Sequence, residues 1–144
     1  MKASQFINPQ EAEERVTARY RVILILWAAI FTSLGFLLAL ALFTPSSAPP
    51  NQTLTFIFLG IGFMVVIVSI FIRRRFVQQA VEQRQAALLQ SGYIVAFALS
   101  ESAALFGLLD HFINGSRYYY IGLFVAGLGM LLNFPKRDDV RATI

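Results

Sequence analysis

Residues 54–75 run LTFIFLGIGFMVVIVSIFIRRR: a long apolar stretch halted by three consecutive arginines. A bilayer hydrocarbon core about 30 Å thick is crossed by a helix of roughly 20 apolar residues, at a rise of 1.5 Å each. Residues 54–72 meet that length, and Arg73, Arg74 and Arg75 supply a stop-transfer charge suited to anionic lipid headgroups. The run is continuous rather than alternating, which excludes a membrane strand. Three further stretches share this character: residues 22–43, 93–112 and 118–134, the last one short. The expected fold is all-α, an integral membrane four-helix bundle of up-and-down topology in a single membrane domain spanning 1–144.

Composition agrees with lipid as the main solvent. Hydrophobic residues make up 57% of the 144 and charged residues 14%, against about 25% charged in a typical soluble domain. The chain has no cysteine and one histidine, His111. Disulfides, thiolate metal sites and bis-histidine haem are thereby excluded. A single axial ligation of haem or chlorophyll by His111 stays open, and no other cofactor or metal is expected. The net charge of +4 comes from basic residues flanking apolar spans. Anionic lipid, not nucleic acid, is the expected counter-charge. The first apolar run follows an acidic segment (Glu11, Glu13, Glu14) and is long enough to span, so no cleaved signal peptide is expected.

The connections set the orientation. Asn8, Pro9 and Glu11 have the order of a helix start, which predicts a helix running on into the first span. The loop 44–53 holds Pro45, Pro49 and Pro50 and no charge. Residues 73–90 mix Phe76, Val77, Ala80, Val81 and Leu88 with Gln, Glu and Arg. That pattern suits an amphipathic cytoplasmic helical segment between spans 2 and 3, lying on the surface or prolonging either span. Asn114 and Gly115 mark a tight third turn. With four spans, eleven of the 12 Lys and Arg fall on one side, the exception being Arg117. That side is expected to be cytoplasmic and to hold both termini, in a bacterial inner membrane.

Glu101 is the one acid well inside a span. From Gly92, nine residues of helix bring it about 13 Å deep, close to mid-bilayer. A charge there costs at least ~2.5 kcal/mol, so a carboxyl at that depth needs a reason. It either bonds helix to helix or handles a proton or sodium ion. Thr32, Ser33 and Ser69 are its candidate partners, with Glu101, Ser33 and Ser69 forming the ion-binding hypothesis. Around it run rows of small residues: Ala96, Ser100 and Ala104, with Ala103 and Gly107, and on the fourth span Gly122, Ala126, Gly129 and Asn133. Such rows let helices approach closely, and the third and fourth spans are expected to pack tightly.

A helix ending in arginines, a polar connection, then Ala-Leu-Ser-Glu-Ser-Ala-Ala-Leu-Phe-Gly-Leu around Glu101 resembles the hairpin of rotary ATP synthase subunit c. The resemblance covers about residues 54–112. It implies that Glu101 corresponds to the ion-binding carboxylate. The hairpin departs from that family in keeping only Gly60 and Gly62 of its glycine spacing, in lacking an Arg-Gln-Pro or Arg-Asn-Pro turn, and in carrying two flanking spans. The chain also resembles small four-span bacterial membrane proteins as a class, a likeness that implies no activity.

Asp110 and His111, near Arg117, read either as a proton gate toward Glu101 or as an interfacial cluster ending the helix. No phosphate-cradling loop, Ser-His-Asp set or metal-binding helix motif is present in the sequence. The expected function is therefore non-enzymatic: a small structural or accessory subunit of a membrane complex, or a homo-oligomer. A proton- or sodium-linked carrier using Glu101 is the alternative.

Overall fold

The computed structural model describes residues 8–143, and among them the chain is all-α, with five helices and no strand. They are α1 (Pro9–Phe43), α2 (Gln52–Gln83), α3 (Ala86–Asn114), α4 (Tyr119–Leu132) and α5 (Arg137–Arg141). Lys2, counted above with the basic side, lies outside the described residues.

Local chemistry sets the helix ends. The Asn8 side chain accepts the Gln10 N–H at 3.1 Å, Pro9 opens the first turn, and α1 then runs unbroken to Phe43. The proline-bearing loop turns the chain back, and the Asn51 side chain caps α2 by accepting from Thr53 and Leu54 N–H. α2 continues past the arginine triplet to Gln83, where Arg84 takes a left-handed conformation and α3 begins at Ala86. Residues 73–90 thus form no separate surface helix: they prolong both spans, joined by Arg84 and Gln85. The reason is packing, since Ala80 and Leu89 are buried and Phe76 abuts the Gly92 backbone.

α1, α2 and α3 are long and apolar enough to cross a membrane. α4 is apolar but has 14 residues, about 21 Å of helix against a core of about 30 Å. The short helix α5 was not anticipated from the sequence.

Contacts set the register. Thr55 meets Asp110, Gly62 meets Ala103, Ser69 meets Ser100 and Phe76 meets Gly92, so α2 and α3 run antiparallel over their whole length. Gly107 against Gly122, and Ser100 against Asn133, set α4 antiparallel to α3. α3 is the central element. Half of its apolar window is buried, against 22% in α2 and 11% in α1. Its buried side runs Leu89, Tyr93, Ala96, Ser100, Ala103, Gly107, Asp110 and Asn114, in steps of three and four. α1 leans on this unit through Trp27, whose indole N–H donates to Met130 O at 2.9 Å and whose ring stacks near Phe31 and Phe134.

The two ends of the bundle differ in chemistry. At one end, Glu13 of α1 pairs with Arg137 and Arg141, and Tyr93 of α3 donates to Asp139 at 2.6 Å. Arg73 lies over the Tyr93 ring at the same end. At the other end meet the close of α1, the start of α2 and the turn from α3 to α4.

Candidate functional site

Glu101 sits midway along α3, eight residues after Tyr93 and nine before Asp110, or about 12 and 13 Å from the two ends by helical rise. Its side chain is half-buried and faces α1. The Ser33 hydroxyl bonds its carboxyl oxygen Oε1, and the same hydroxyl lies 2.7 Å from the Ile30 carbonyl. A hydroxyl has one proton to give. When the carboxyl is ionised, Ser33 donates to it. When the carboxyl is protonated, it donates to Ser33, which turns its own proton to Ile30 O. The Ser33–Oε1 bond is therefore kept in both protonation states without moving a heavy atom. Among the described residues the only ion pairs are those of Glu13, so Glu101 has no cationic partner.

The other two candidate partners are elsewhere. Thr32 is exposed and bonds back to Ala28 O at 2.7 Å. Ser69 does not join Glu101: it is fully buried on the opposite flank of α3, in a second polar layer with Ser100 and Asn133. There the proton accounting closes. Ser69 donates to Val66 O and Ser100 to Ala96 O, each within its own helix. The Asn133 carboxamide gives one N–H to each hydroxyl, at 2.9 and 3.1 Å. One side chain from the end of α4 thus ties α2 to α3, while its own Oδ1 is buried without a partner. Placing Ser69 beside Glu101 is corrected by helix rotation: Ser100 and Glu101 are neighbours in sequence but point about 100° apart on a helix of 3.6 residues per turn.

A third layer closes the far end. Asp110 is fully buried and accepts from Thr55 Oγ1 at 3.0 Å and Asn114 Nδ2 at 2.9 Å. Asn114 also accepts the Asn51 N–H at 2.5 Å and donates to Asn51 O at 2.8 Å. Asp110 is not an exposed helix-ending charge. The αL residue Gly115 provides the stop, its N–H reaching His111 O at 2.9 Å, which leaves the carboxylate to bind α2. His111 is buried, with Nε2 2.9 Å from Thr44 O and Nδ1 3.3 Å from Ser116 O. Both ring nitrogens face backbone carbonyls, so axial ligation of a haem or chlorophyll would first have to break one of these contacts. No group of three His, Cys, Asp or Glu able to hold a metal ion occurs among the described residues.

The small-residue rows lie where backbones meet. A Cβ on Gly107 would fall 2.8 Å from Tyr119 O, and one on Gly122 would fall 2.8 Å from the Gly107 Cα. Ala96, Ala103, Ala104 and Ala126 are fully buried, and Gly129 faces Val66 and the Ser100 hydroxyl. The arginine triplet divides: Arg73 is buried, while Arg74 and Arg75 are exposed.

The sequence reading missed Asn51, Thr55 and the bonding role of Asn133. A signal existed for the last two layers. Ser100, Asp110 and Asn114 recur at steps of ten and four on the face that also carries the small residues, which marks a buried polar stripe. Comparison with protein-family models, curated proteins and solved structures gives no match for this chain.

Proposed function

We propose that this chain is a non-enzymatic integral membrane protein with four spans in up-and-down order. Both termini lie on the arginine-rich cytoplasmic side of a bacterial inner membrane. It serves as a small structural or accessory component of a membrane complex or a homo-oligomer. The observation that carries this reading is the outward apolar surface. Ile25, Phe36, Leu42, Phe56, Phe63, Phe71, Phe124 and Leu132 are all more than half exposed. Such a surface is stable only against lipid or an apolar partner. Inward polar groups meanwhile join helix to helix, Ser33 with Glu101, Thr55 with Asp110, and Asn133 with Ser69 and Ser100, which is a structural use. A crossing by α4 leaves a shortfall of roughly 9 Å against the hydrocarbon core, to be met by the flanking residues of the 118–134 stretch and by local thinning of the bilayer.

The test is carbonate extraction of membranes, followed by native mass spectrometry of the gently solubilised protein. The chain is expected to stay in the membrane pellet and to emerge at a mass above its own 16.1 kDa. Release by carbonate, or a bare single chain, would overturn the reading.

A proton- or sodium-linked role is the second reading, favoured by the Ser33–Glu101 bond, which is kept in either protonation state. Glu101→Gln separates the two. A structural role predicts retained assembly and a stability change within about 1.5 kcal/mol, the worth of one hydrogen bond. An ion-handling role predicts loss of coupled flux in proteoliposomes and, in the wild type, labelling of Glu101 by a carboxyl-reactive carbodiimide that low pH promotes and sodium suppresses.

A further inference from the structure

At the arginine-rich end a pocket of about 290 Å³ opens between α2 and the segment leading into α5, lined by Arg73, Arg74, Val77, Gln78, Lys136 and Asp139. Three cations face one carboxylate. Asp139 is already engaged by the Tyr93 hydroxyl at 2.6 Å, and that hydroxyl in turn accepts the Lys136 N–H at 3.1 Å. Arg137 and Arg141 are spent on Glu13. Among the described residues neither Arg73, Arg74 nor Lys136 has a carboxylate within ion-pair distance. Arg73 is the decisive member. It is 9% exposed, its Nε is buried with no hydrogen-bond partner, and its guanidinium lies over the Tyr93 ring at 5.8 Å. A guanidinium held this deep without a counter-ion is electrostatically unfavourable, and a phosphate seated in the pocket removes the imbalance.

We propose that this pocket binds the phosphate of an anionic phospholipid headgroup. A guanidinium matches phosphate oxygens through paired N–H donors, and a lysine adds a point charge. The lipid source follows from what adjoins the cations. Phe71 is 64% exposed and lies one turn before Arg74 and two before Gln78 on the same flank of α2, with Val68 exposed a turn further back. Acyl chains hanging from a headgroup at Arg74 would lie along these side chains, whereas a free phosphate ion would use none of them. The site deepens the sequence expectation for the triplet and changes its membership. Arg75 is exposed and outside the pocket, and Lys136, 61 positions further on, takes its place. The proposal rests on the membrane reading above.

The full-length protein, purified in detergent, is examined by native mass spectrometry with added phosphatidylglycerol or phosphatidylcholine. Wild type is expected to retain one phosphatidylglycerol per chain in preference to phosphatidylcholine. Lys136→Gln and Arg73→Gln should each weaken that retention about fivefold, as expected for one interfacial cation, while Arg75→Gln leaves it unchanged. Should Arg73→Gln fail to fold, Lys136→Gln, at an exposed position, still decides. Equal retention of both lipids, or an Arg75→Gln effect matching that of Lys136→Gln, overturns the proposal. Displacement of phosphatidylglycerol by millimolar inorganic phosphate overturns the lipid assignment in favour of a free anion. A chain that stays in the carbonate-washed pellet while losing lipid preference refutes this site alone; release by carbonate refutes the membrane reading beneath it.

Discussion

Gly115 is the position least able to accept a side chain. Its φ is +58°, and a Cβ there would fall 1.9 Å from Ala48 O, a backbone atom that cannot step aside. An L-residue in the left-handed region costs about 1–2 kcal/mol before any clash is counted. Gly115→Ala is therefore expected to destabilise the protein by more than about 2 kcal/mol, read as a lowered thermal midpoint in detergent. Gly127→Ala, inside α4 where a Cβ meets open space, should keep or raise the midpoint, since alanine is the better helix former. The turn at Asn114–Gly115 was legible because both residues are turn formers. The bonds that Asn114 makes to Asn51, Thr55 and Asp110 were not, because they depend on which helix lies opposite. The same limit applies at Glu101. Three hydroxyls qualified as partners by composition, and only the rotation of α1, set by Trp27 against Met130 and Phe134, brings Ser33 inward and turns Thr32 out.

Between helices, the closest approach of backbone to backbone at a glycine is that of α3 and α4 at Gly107 and Gly122. Gly122→Leu would drive a branched side chain into the Gly107 Cα and Ala103 O, which lie 2.8 and 3.1 Å from a Cβ. The two helices must part, and the cost is expected to reach about 3 kcal/mol or more, the upper end for overpacking. Hydrogen exchange should then quicken selectively in residues 119–132, while the α2–α3 pair keeps its protection. Uniform quickening across all helices would contradict a cost confined to the α3–α4 contact. The rows of small residues made this contact visible from the sequence, since they repeat at helical spacing. α5 was illegible for the opposite reason. A helix of five residues has no periodicity to detect and is marginal alone. It is held by the burial of Val140 and by Tyr93 and Glu13, residues far away along the chain.

The whole molecule has two unlike ends, and its sidedness can be measured directly. The chain contains no cysteine, so single introduced thiols report without background. Gln83 and Ser47 are exposed, the first at the tip of the α2–α3 hairpin and the second in the loop between α1 and α2. With the arginine-rich end cytoplasmic, Gln83→Cys should react with an impermeant maleimide in inverted vesicles and resist it in intact cells. Ser47→Cys should do the reverse. Reaction of both from one side would refute the proposed crossing of α2. The number of apolar stretches was plain from the sequence, as was the clustering of basic residues. The helical character of residues 73–90 was legible too, but not the choice between a surface helix and a prolongation of the spans, because that depends on which residues of α3 lie opposite.

That extension has a mechanical side. With the lipid boundary at Arg73, as proposed, ten residues of α2 stand about 15 Å clear of the headgroups before the chain reverses. α3 climbs back beside them. On that proposal the pair stands in water as a two-helix mast, its apolar residues turned on each other rather than on lipid.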